Sequence, residues 1–331
     1  MNHILRDQVM QRWYVVQQEL IPDVLEETGC LTPKLEQLIH ILEWVRIEEY
    51  TSSWDRVGRP PHERAWLANA FVAKAVLGIT TTVGLIERLA IDRTLRRICG
   101  FSRYRKLPSE ATFSRAFDEF AQSQLAERVH EQLVKSYLGD QVIGHISRDG
   151  TAIEARERPT TPMEPEAPVE TGVKRKRGRP RKGEKRPAAE ESPIQRQRHQ
   201  TLVEMNAEIP RQCDLGSKCN AQGYKMSWNG YKLHIDTADC GVPISALLSS
   251  ASLHDSRAAI PLSLMSAQRV TYLYDVMDAA YCSHELRDHC RNQGHVPLID
   301  HNPRRGEKIE FDPAEAVRYN ERTVAERNRS E

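Results

Sequence analysis

Three acidic residues stand where carboxylates could act together on a metal ion. Asp149 closes one short apolar segment, Asp278 follows another, and Glu326 lies near the carboxyl end of the sequence. Isolated carboxylates at the ends of apolar strands are costly to bury unless something pairs with them. Carboxylate oxygens are also the ligands that Mg²⁺ prefers. The residue types therefore predict a hard-oxygen metal site.

Each of these acids also has an ordinary structural explanation. Asp149 precedes Gly150 and could form an Asx turn, Asp278 could cap a helix, and Glu326 could pair with a nearby arginine on the surface. Asp275 lies in the same strand segment as Asp278 and is an alternative ligand, because strand periodicity does not separate the two. Taken together, two Asp on neighbouring strand ends and a Glu on a helix beside them favour the metal site.

The second part of the chain predicts a sheet with helices packed on it. Short segments rich in β-branched residues indicate strands, and helical patterns lie between and after them. The predicted strands cover 142–149, 231–236, 244–249, 270–276 and 295–299, and the predicted helices cover 256–267, 283–292 and the region from Pro313 to the end. Strands that alternate with helices predict a mixed α/β sheet.

Residues 1–140 have the pattern of a helical domain. Thr32 and Pro33 form a cap and first-turn pair, and apolar residues then recur at the spacing of one buried face. The other predicted helices run between Pro61 and Gly78, from Val83 to Leu95 and from Leu125 to Tyr137. We therefore predict a helical domain at 1–140 and an α/β domain at 141–331.

One helical segment has the layout of a helix-turn-helix reader. After a proline, Ser109 starts a short helix that is predicted to bury Phe113 and Phe117 and to expose Thr112 and Arg115. In such a motif the second helix enters the major groove of DNA. Another helix of a bundle explains the same pattern, and the sequence alone slightly favours it. DNA contact by Thr112 and Arg115 is the competing prediction.

A stretch of different composition interrupts the α/β part at about residues 155–200. Prolines recur there in an acidic background, and residues 174–186 then hold nine basic residues and one acid. No packed core can be drawn from this composition, so we predict a disordered, mobile insertion.

The centre of this insertion resembles an AT-hook. Gly178 allows close approach of the backbone, Pro180 keeps it extended, and Arg179 would enter a narrow A·T minor groove. The neighbouring cations add salt-dependent phosphate contacts. The predicted DNA-binding residues of the insertion are Arg177, Gly178, Arg179, Pro180, Arg181 and Lys182. A solvated basic linker with non-specific affinity for polyanions is the alternative.

Composition excludes several classes of protein. With 39% hydrophobic and 28% charged residues, the chain is too apolar to be disordered throughout and too polar to be a membrane protein. The first residues predict no secretory signal, which favours a cytoplasmic location. Seven scattered cysteines favour reduced thiols, and the spacing of Cys213 and Cys219 does not match a zinc site. The net charge of +1 gives no global attraction to polyanions.

The tail carries the residues by which the chain resembles a known family. Tyr319, Arg322 and Glu326 are spaced as in the helix signature of DDE transposases of bacterial insertion sequences, which reads Tyr, two residues, Arg, three residues, Glu. The motif around the family's second Asp resembles Asp278-Ala-Ala-Tyr281, and the motif around its first Asp resembles Ser147-Arg-Asp-Gly-Thr-Ala152. The family's amino-terminal domain has a segment similar to Leu107-Pro-Ser-Glu-Ala-Thr-Phe113, and its catalytic domain has one similar to Asn229-Gly-Tyr-Lys-Leu-His-Ile-Asp236. The resemblance covers nearly the whole chain except the insertion.

The resemblance implies an RNase H-like fold in which Asp149, Asp278 and Glu326 hold two Mg²⁺ or Mn²⁺ ions. One ion would activate water or a DNA 3′-hydroxyl, and the other would stabilise the leaving oxygen. The choice of Asp278 over Asp275 rests on this resemblance, through the Tyr281 that follows.

The resemblance also implies the partners. Tyr319 and Arg322 would lie near the substrate backbone, where arginine can contact phosphate. The expected partner is double-stranded DNA, both element ends and target, with a homodimer as the active species and a bacterial, nucleoid-associated location. A nuclease that does not join DNA, and a DNA-binding protein that represses the parent element without chemistry, are the alternatives.

Two departures from the family pattern bear on activity. Ala280 stands where the family usually has Gly, and the sequence ends at Glu331, two residues before the position of a further signature Lys. We therefore expect a shortened carboxyl end, a frayed final helix and reduced or lost activity. Asp255, in the His254-Asp255 pair, is interpreted as a helix cap rather than as a group supporting the carboxylates.

Overall fold

The computed structural model describes residues 31–51, 63–102, 105–159, 191–219, 223–303 and 307–322. The chain divides into two compact units, Met1–Leu133 and Val134–Glu331. Within the described ranges, no helix is both long enough and apolar enough to cross a membrane.

The first unit is built from helices. They are α1 (Pro33–Val45), a 3₁₀ turn (Ile47–Tyr50), α2 (Arg64–Val76), α3 (Thr82–Ile91), α4 (Arg93–Ile98), α5 (Glu110–Gln122) and the first part of α6 (Leu125–Leu138). The predicted cap of α1 is present, because the Thr32 hydroxyl accepts a hydrogen bond from the Leu35 backbone N–H at 3.4 Å. The core of the unit is apolar and includes Leu38, Leu67, Leu85, Leu89 and Phe113, all fully buried.

Two predictions for this unit are wrong in detail. The helix predicted at 83–95 is divided into α3 and α4, because the Asp92 carboxylate accepts from the Leu95 backbone N–H at 2.9 Å and starts a second helix. Phe117, predicted to be buried, is 58% exposed. Its ring packs on the edge of the core against Phe71, at 5.2 Å between ring centroids.

Within the residues that the structure describes, the second unit contains a six-stranded sheet. Its strands are β1 (Val142–Glu154), β2 (Asp214–Cys219), β3 (Lys225–Ala238), β4 (Pro243–Ser250), β5 (Thr271–Met277) and β6 (Val296–Ile299). The spatial order is β2-β3-β1-β5-β6, and β4 also pairs with β3. The central strand β1 is antiparallel to β3 and parallel to β5, and β5 is parallel to β6. The predicted mixed sheet is therefore present.

In the described part of this unit, five helices and one 3₁₀ turn accompany the sheet, together with the end of α6. They are α7 (Pro193–Gln197), α8 (Leu202–Glu208), α9 (Ser256–Ala267), the turn Ala279–Tyr281, α10 (His284–Asn292) and α11 (Pro313–Asn320). The bounds of α9 are the predicted ones. The prediction of a disordered insertion at 155–200 is wrong for its last residues, because α7 lies there and the buried side chain of Gln197 donates to the Arg257 carbonyl at 2.8 Å.

Strand β1 does not end at Asp149. The Asp149-Gly150 pair predicted a turn, but the strand continues to Glu154. Its backbone pairs with β3 from Ile146, opposite Ala238, to Glu154, opposite Gly230. This long ladder satisfies the backbone groups that a turn would leave to solvent, so the pairing partner overrides the local turn preference.

Candidate active site

Asp149 and Asp278 lie next to each other where β1 and β5 run in parallel. The register pairs Arg148 with Met277, so each Asp is the next residue along its own strand direction. Burial raises the pKa of Asp278, and the nearby Asp149 carboxylate raises it further. The structure thus brings together two of the three acids that the sequence singled out.

Asp278 is held in place by the turn that follows it. Its carboxylate accepts a hydrogen bond from the Ala280 backbone N–H at 2.9 Å and so caps the 3₁₀ turn Ala279–Tyr281. The helix-cap interpretation is therefore correct, and it does not compete with a site role, because the same carboxylate faces Asp149. The cap fixes the orientation of Asp278 before any ligand arrives.

Asp275 belongs to a different environment. It is fully buried, with Oδ1 3.3 Å from Arg148 Nη2 and Oδ2 3.1 Å from His295 Nδ1. Burial by itself raises the pKa of Asp275, but Arg148 and His295 outweigh it and hold that pKa below its ordinary value. Because strand side chains alternate between faces, residues three positions apart point in opposite directions. Asp275 is thereby part of the internal ion network, and Asp278 is the acid beside Asp149.

A third acid that sequence reasoning assigned elsewhere lies near the pair. Asp255 precedes α9 but makes no capping hydrogen bond. Its Oδ1 instead accepts from Lys232 Nζ at 2.9 Å and lies 3.8 Å from His234 Nδ1. Asp255 also contributes to the raised pKa of Asp278. The cap interpretation of Asp255 is thus wrong, and the His-Asp pair after β4 was the only sequence signal for this group.

Tyr281 closes the cluster from the interior. It is 1% exposed, and its hydroxyl has no hydrogen-bond partner within the part of the chain that the structure describes. Burial raises the pKa of Tyr281 far above the ordinary value, and the carboxylates of Asp255, Asp149 and Asp278 raise it further. The phenol is therefore protonated and offers a buried donor close to three carboxylates.

The tail approaches the same cluster through Arg322. The positive charge of Arg322 acts against the other effects and lowers the pKa of Asp278. The Arg322 guanidinium also lies 5.5 Å from the centre of the Tyr319 ring, which in turn packs on Phe311 at 4.8 Å. Tyr319 and Arg322 therefore both have defined positions, and Arg322 is the one whose charge acts on Asp278.

Contacts with β1 and β5 hold α11 on the sheet. The Arg318 guanidinium lies 5.0 Å from the centre of the Tyr274 ring, and its Nη1 is 3.5 Å from Glu321 Oε2. Glu321 Oε2 is in turn 3.6 Å from Nδ1 of the buried His145. These contacts fix the end of α11, from which the chain runs on to Arg322.

The residues of the cluster are of the kind that hold a divalent cation. Asp149 and Asp278 offer hard oxygen ligands, and a cation would relieve the repulsion that raises the pKa of Asp278. Among the described residues no group of three His, Cys, Asp or Glu side chains is placed to hold a metal ion. Glu326, the third predicted ligand, lies outside the described residues, and so do Arg177, Gly178, Arg179, Pro180, Arg181 and Lys182.

The helix that carries the other predicted DNA contacts is α5. Arg115 is exposed, and Nε donates to the Ala111 carbonyl at 3.2 Å. Thr112 is half-buried, with its hydroxyl 3.1 Å from the Ser109 hydroxyl. Helix α5 therefore packs Phe113 into the core of its unit, as a bundle helix does, and presents Arg115 to solvent.

Comparison with family models decides the family. The Transposase domain (DUF772) matches residues 24–119, and the Transposase DDE domain matches residues 149–329, more than half of the chain. The chain belongs to the DDE transposases. The family that the motifs predicted is thereby confirmed, and a search of curated proteins finds no match. The transposase domains indicate a role in DNA transposition, with DNA as the partner, and the family generally uses divalent metal ions.

Proposed function

We propose that this transposase cleaves the ends of an insertion sequence and joins them to target DNA, with Asp149, Asp278 and Glu326 as the ligands of two Mg²⁺ or Mn²⁺ ions. The observation that carries the proposal is the placement of Asp149 on β1 beside Asp278, which directly follows β5, with the pKa of Asp278 raised by burial and by the Asp149 carboxylate. The same proposal includes an RNase H-like fold. A central β1 with an antiparallel strand on one side and parallel strands on the other supports it.

Each residue of the cluster has a distinct role in this proposal. Bound divalent ions would supply an activated oxygen nucleophile and neutralise charge that develops at the phosphorus. Asp149 and Asp278 bind the ions, and the hydrogen bond from Ala280 keeps Asp278 oriented. Arg322 contacts a phosphate oxygen of the substrate, because a guanidinium matches phosphate geometry. Tyr281, whose buried hydroxyl has no hydrogen-bond partner among the described residues, excludes water from the buried side of the cluster.

The partners in the proposal are double-stranded DNA and a second copy of the chain. Tyr319 supports Arg322 at the substrate backbone, as their ring contact allows. The basic segment at 174–186 adds minor-groove contacts, and the active complex is a homodimer on paired ends at the bacterial nucleoid. These parts rest on the sequence pattern and the family resemblance.

A strand-transfer assay tests the proposal. Purified transposase is mixed with labelled, pre-cut element ends, a target plasmid and Mg²⁺ or Mn²⁺, and joined products are measured. Asp149→Asn should abolish joining, whereas the matched control Asp140→Asn, an exposed acid before β1, should leave it unchanged. Metal-dependent cutting without joining would point to a nuclease, and DNA binding without any cutting would point to a non-catalytic DNA-binding protein.

A further inference from the structure

The first unit carries a dense run of positive charge outside the residues discussed so far. Residues 93–106 contain six basic residues and no acid. Four of them have exposed side chains in the structure: Arg93, Arg97, Arg105 and Lys106. We refer to these four residues as the α4 basic surface. Within the described residues none of the four takes part in an ion pair.

Local contacts bring these basic residues close to one another. Arg93 and Arg97 are one helical turn apart on α4 and therefore lie on the same side of it. The half-buried Arg96 donates to the carbonyls of Ser102, at 2.8 Å, and of Arg105. These bonds draw the segment after α4 back against the helix, so Arg105 lies close to α4. The surface is thus built by the fold and is not a random scatter of cations.

The surface continues to the start of α5. Arg96 and Lys106 line a groove of about 560 Å³ together with Ser109, the residue that precedes α5. The acidic residues that line this groove are Glu87 and Glu110. Asp92, at the start of α4, is paired with Arg88 at 2.9 Å. Positive charge therefore dominates the α4 side, and the acids lie at the groove or are already paired.

We propose that the α4 basic surface binds the phosphate backbone of duplex DNA. The proposal rests on the function proposed above, because it supplies that activity with a place for its substrate in the first unit. Unpaired, exposed arginines on a short helix suit phosphate, which accepts hydrogen bonds from guanidinium groups. Phosphate contacts set the position of a protein on a duplex and carry no sequence information by themselves. The contact would place the adjoining α5, with Thr112 and Arg115, next to the same duplex.

The test measures binding of the full chain to a 30-base-pair, fluorescein-labelled duplex of random sequence. Anisotropy is recorded in EDTA from about 50 to 300 mM NaCl, so that no catalysis contributes. Arg97→Glu is compared with Lys34→Glu, a matched charge reversal at an exposed position of α1 in the same unit. Both are also made in a background in which Arg177, Arg179 and Arg181 are changed to Ala, which removes contacts of the basic insert.

The expected result is specific to Arg97. Arg97→Glu should weaken binding roughly tenfold at 100 mM NaCl and lower the slope of log affinity against log salt by about one, in both backgrounds. Lys34→Glu should change affinity less than about twofold. Equal effects of the two variants, or no binding by the starting protein, would overturn the proposal, as would equal or tighter binding of a single-stranded RNA of the same length. Arg97→Gln and a thermal melt separate loss of contact from loss of fold.

Failure of this inference and failure of the proposed function give different results. If the carboxylates are inactive, DNA binding in EDTA still depends on Arg97. If the α4 basic surface does not bind DNA, metal-dependent cutting can still be observed, with no selective effect of Arg97→Glu on affinity.

Discussion

Arg148 donates to both carboxylate oxygens of Asp236, from Nε to Oδ1 and from Nη2 to Oδ2, each at 2.7 Å. Both side chains are buried, at 1% and 0% exposure, and Arg148 Nη2 also approaches Asp275. The three residues belong to β1, β3 and β5. The pair therefore ties together the three central strands one residue before Asp149, and so fixes the frame from which the candidate site is built.

Replacing Arg148 should lower the free energy of unfolding. Arg148→Met leaves the buried Asp236 and Asp275 without their cation, and breaking a buried pair in this way costs about 3–5 kcal/mol. Urea denaturation followed by circular dichroism measures the loss. Arg115→Met, at an exposed position of α5, is the control and should change stability by less than about 0.5 kcal/mol. A loss below about 1 kcal/mol for Arg148→Met would contradict this account of the network.

Replacing Asp by Asn should lower the free energy of unfolding at position 275 but not at position 278. Asp275→Asn removes an ionised partner of Arg148 and should lower the free energy of unfolding by about 3–5 kcal/mol. Asp278→Asn keeps the acceptor for the Ala280 N–H and removes a charge that burial and Asp149 disfavour, so stability should be unchanged or higher. Metal-dependent cleavage should fall by more than about 100-fold in Asp278→Asn. A stable, inactive Asp275→Asn beside an unfolded Asp278→Asn would reverse the assignment.

His234 should make the protein sensitive to acid. Burial lowers the pKa of His234 to about 4, with Asp255 opposing that shift and Lys232 adding to it. The unfolded chain takes up this proton near pH 6.5 and the folded chain only near pH 4, so the stabilisation is complete above pH 6.5 and is lost as pH falls towards 4. The full loss is about 3 kcal/mol. Melting curves of wild type and His234→Gln between pH 7 and 4 should converge, and parallel curves would refute the assignment.

The docking of α11 should depend on Arg318. Arg318→Ala removes the contact over the Tyr274 ring and the approach to Glu321. A contact of this kind is worth about 1 kcal/mol, so backbone amides of α11 should exchange with deuterium roughly fivefold faster. Val317→Ala, at a position of the same helix that is 66% exposed, is the matched control and should leave exchange unchanged. Equal exchange in both variants would show that α11 is held by other contacts.

Local patterns were sufficient for the elements whose signals lie in their own residues. The bounds of α9 follow from the apolar residues within it. The cap of α1 follows from the Thr32 hydroxyl at the start of that helix. Strand β2 was not predicted, because Asp214–Cys219 lacks alternation and owes its strand form to pairing with β3. The extension of β1 beyond Asp149 has the same cause. Pairing partners distant in sequence, and not local preference, decide these elements.

The sequence was sufficient to predict two acids of the candidate site, but not the residues that contact them. Asp149 and Asp278 were predicted from their places after short apolar segments of the sequence, together with the family resemblance, although β1 continues past Asp149. The separation of Asp275 from Asp278 needed the register of β1 against β5 and the position of Arg148. The lysine partner of Asp255 lies on β3, far away in sequence, so only the fold could reveal it.

Nicking of a supercoiled plasmid that carries the element ends tests directly whether the three carboxylates form one metal-dependent site, with Mg²⁺ or Mn²⁺ and with Glu326→Gln beside the unchanged chain. We predict nicking that requires the metal ion and disappears in Glu326→Gln, while both proteins bind the plasmid equally. Metal-dependent nicking that persists in Glu326→Gln, or no nicking by the unchanged chain although it binds DNA, would contradict a site built from Asp149, Asp278 and Glu326.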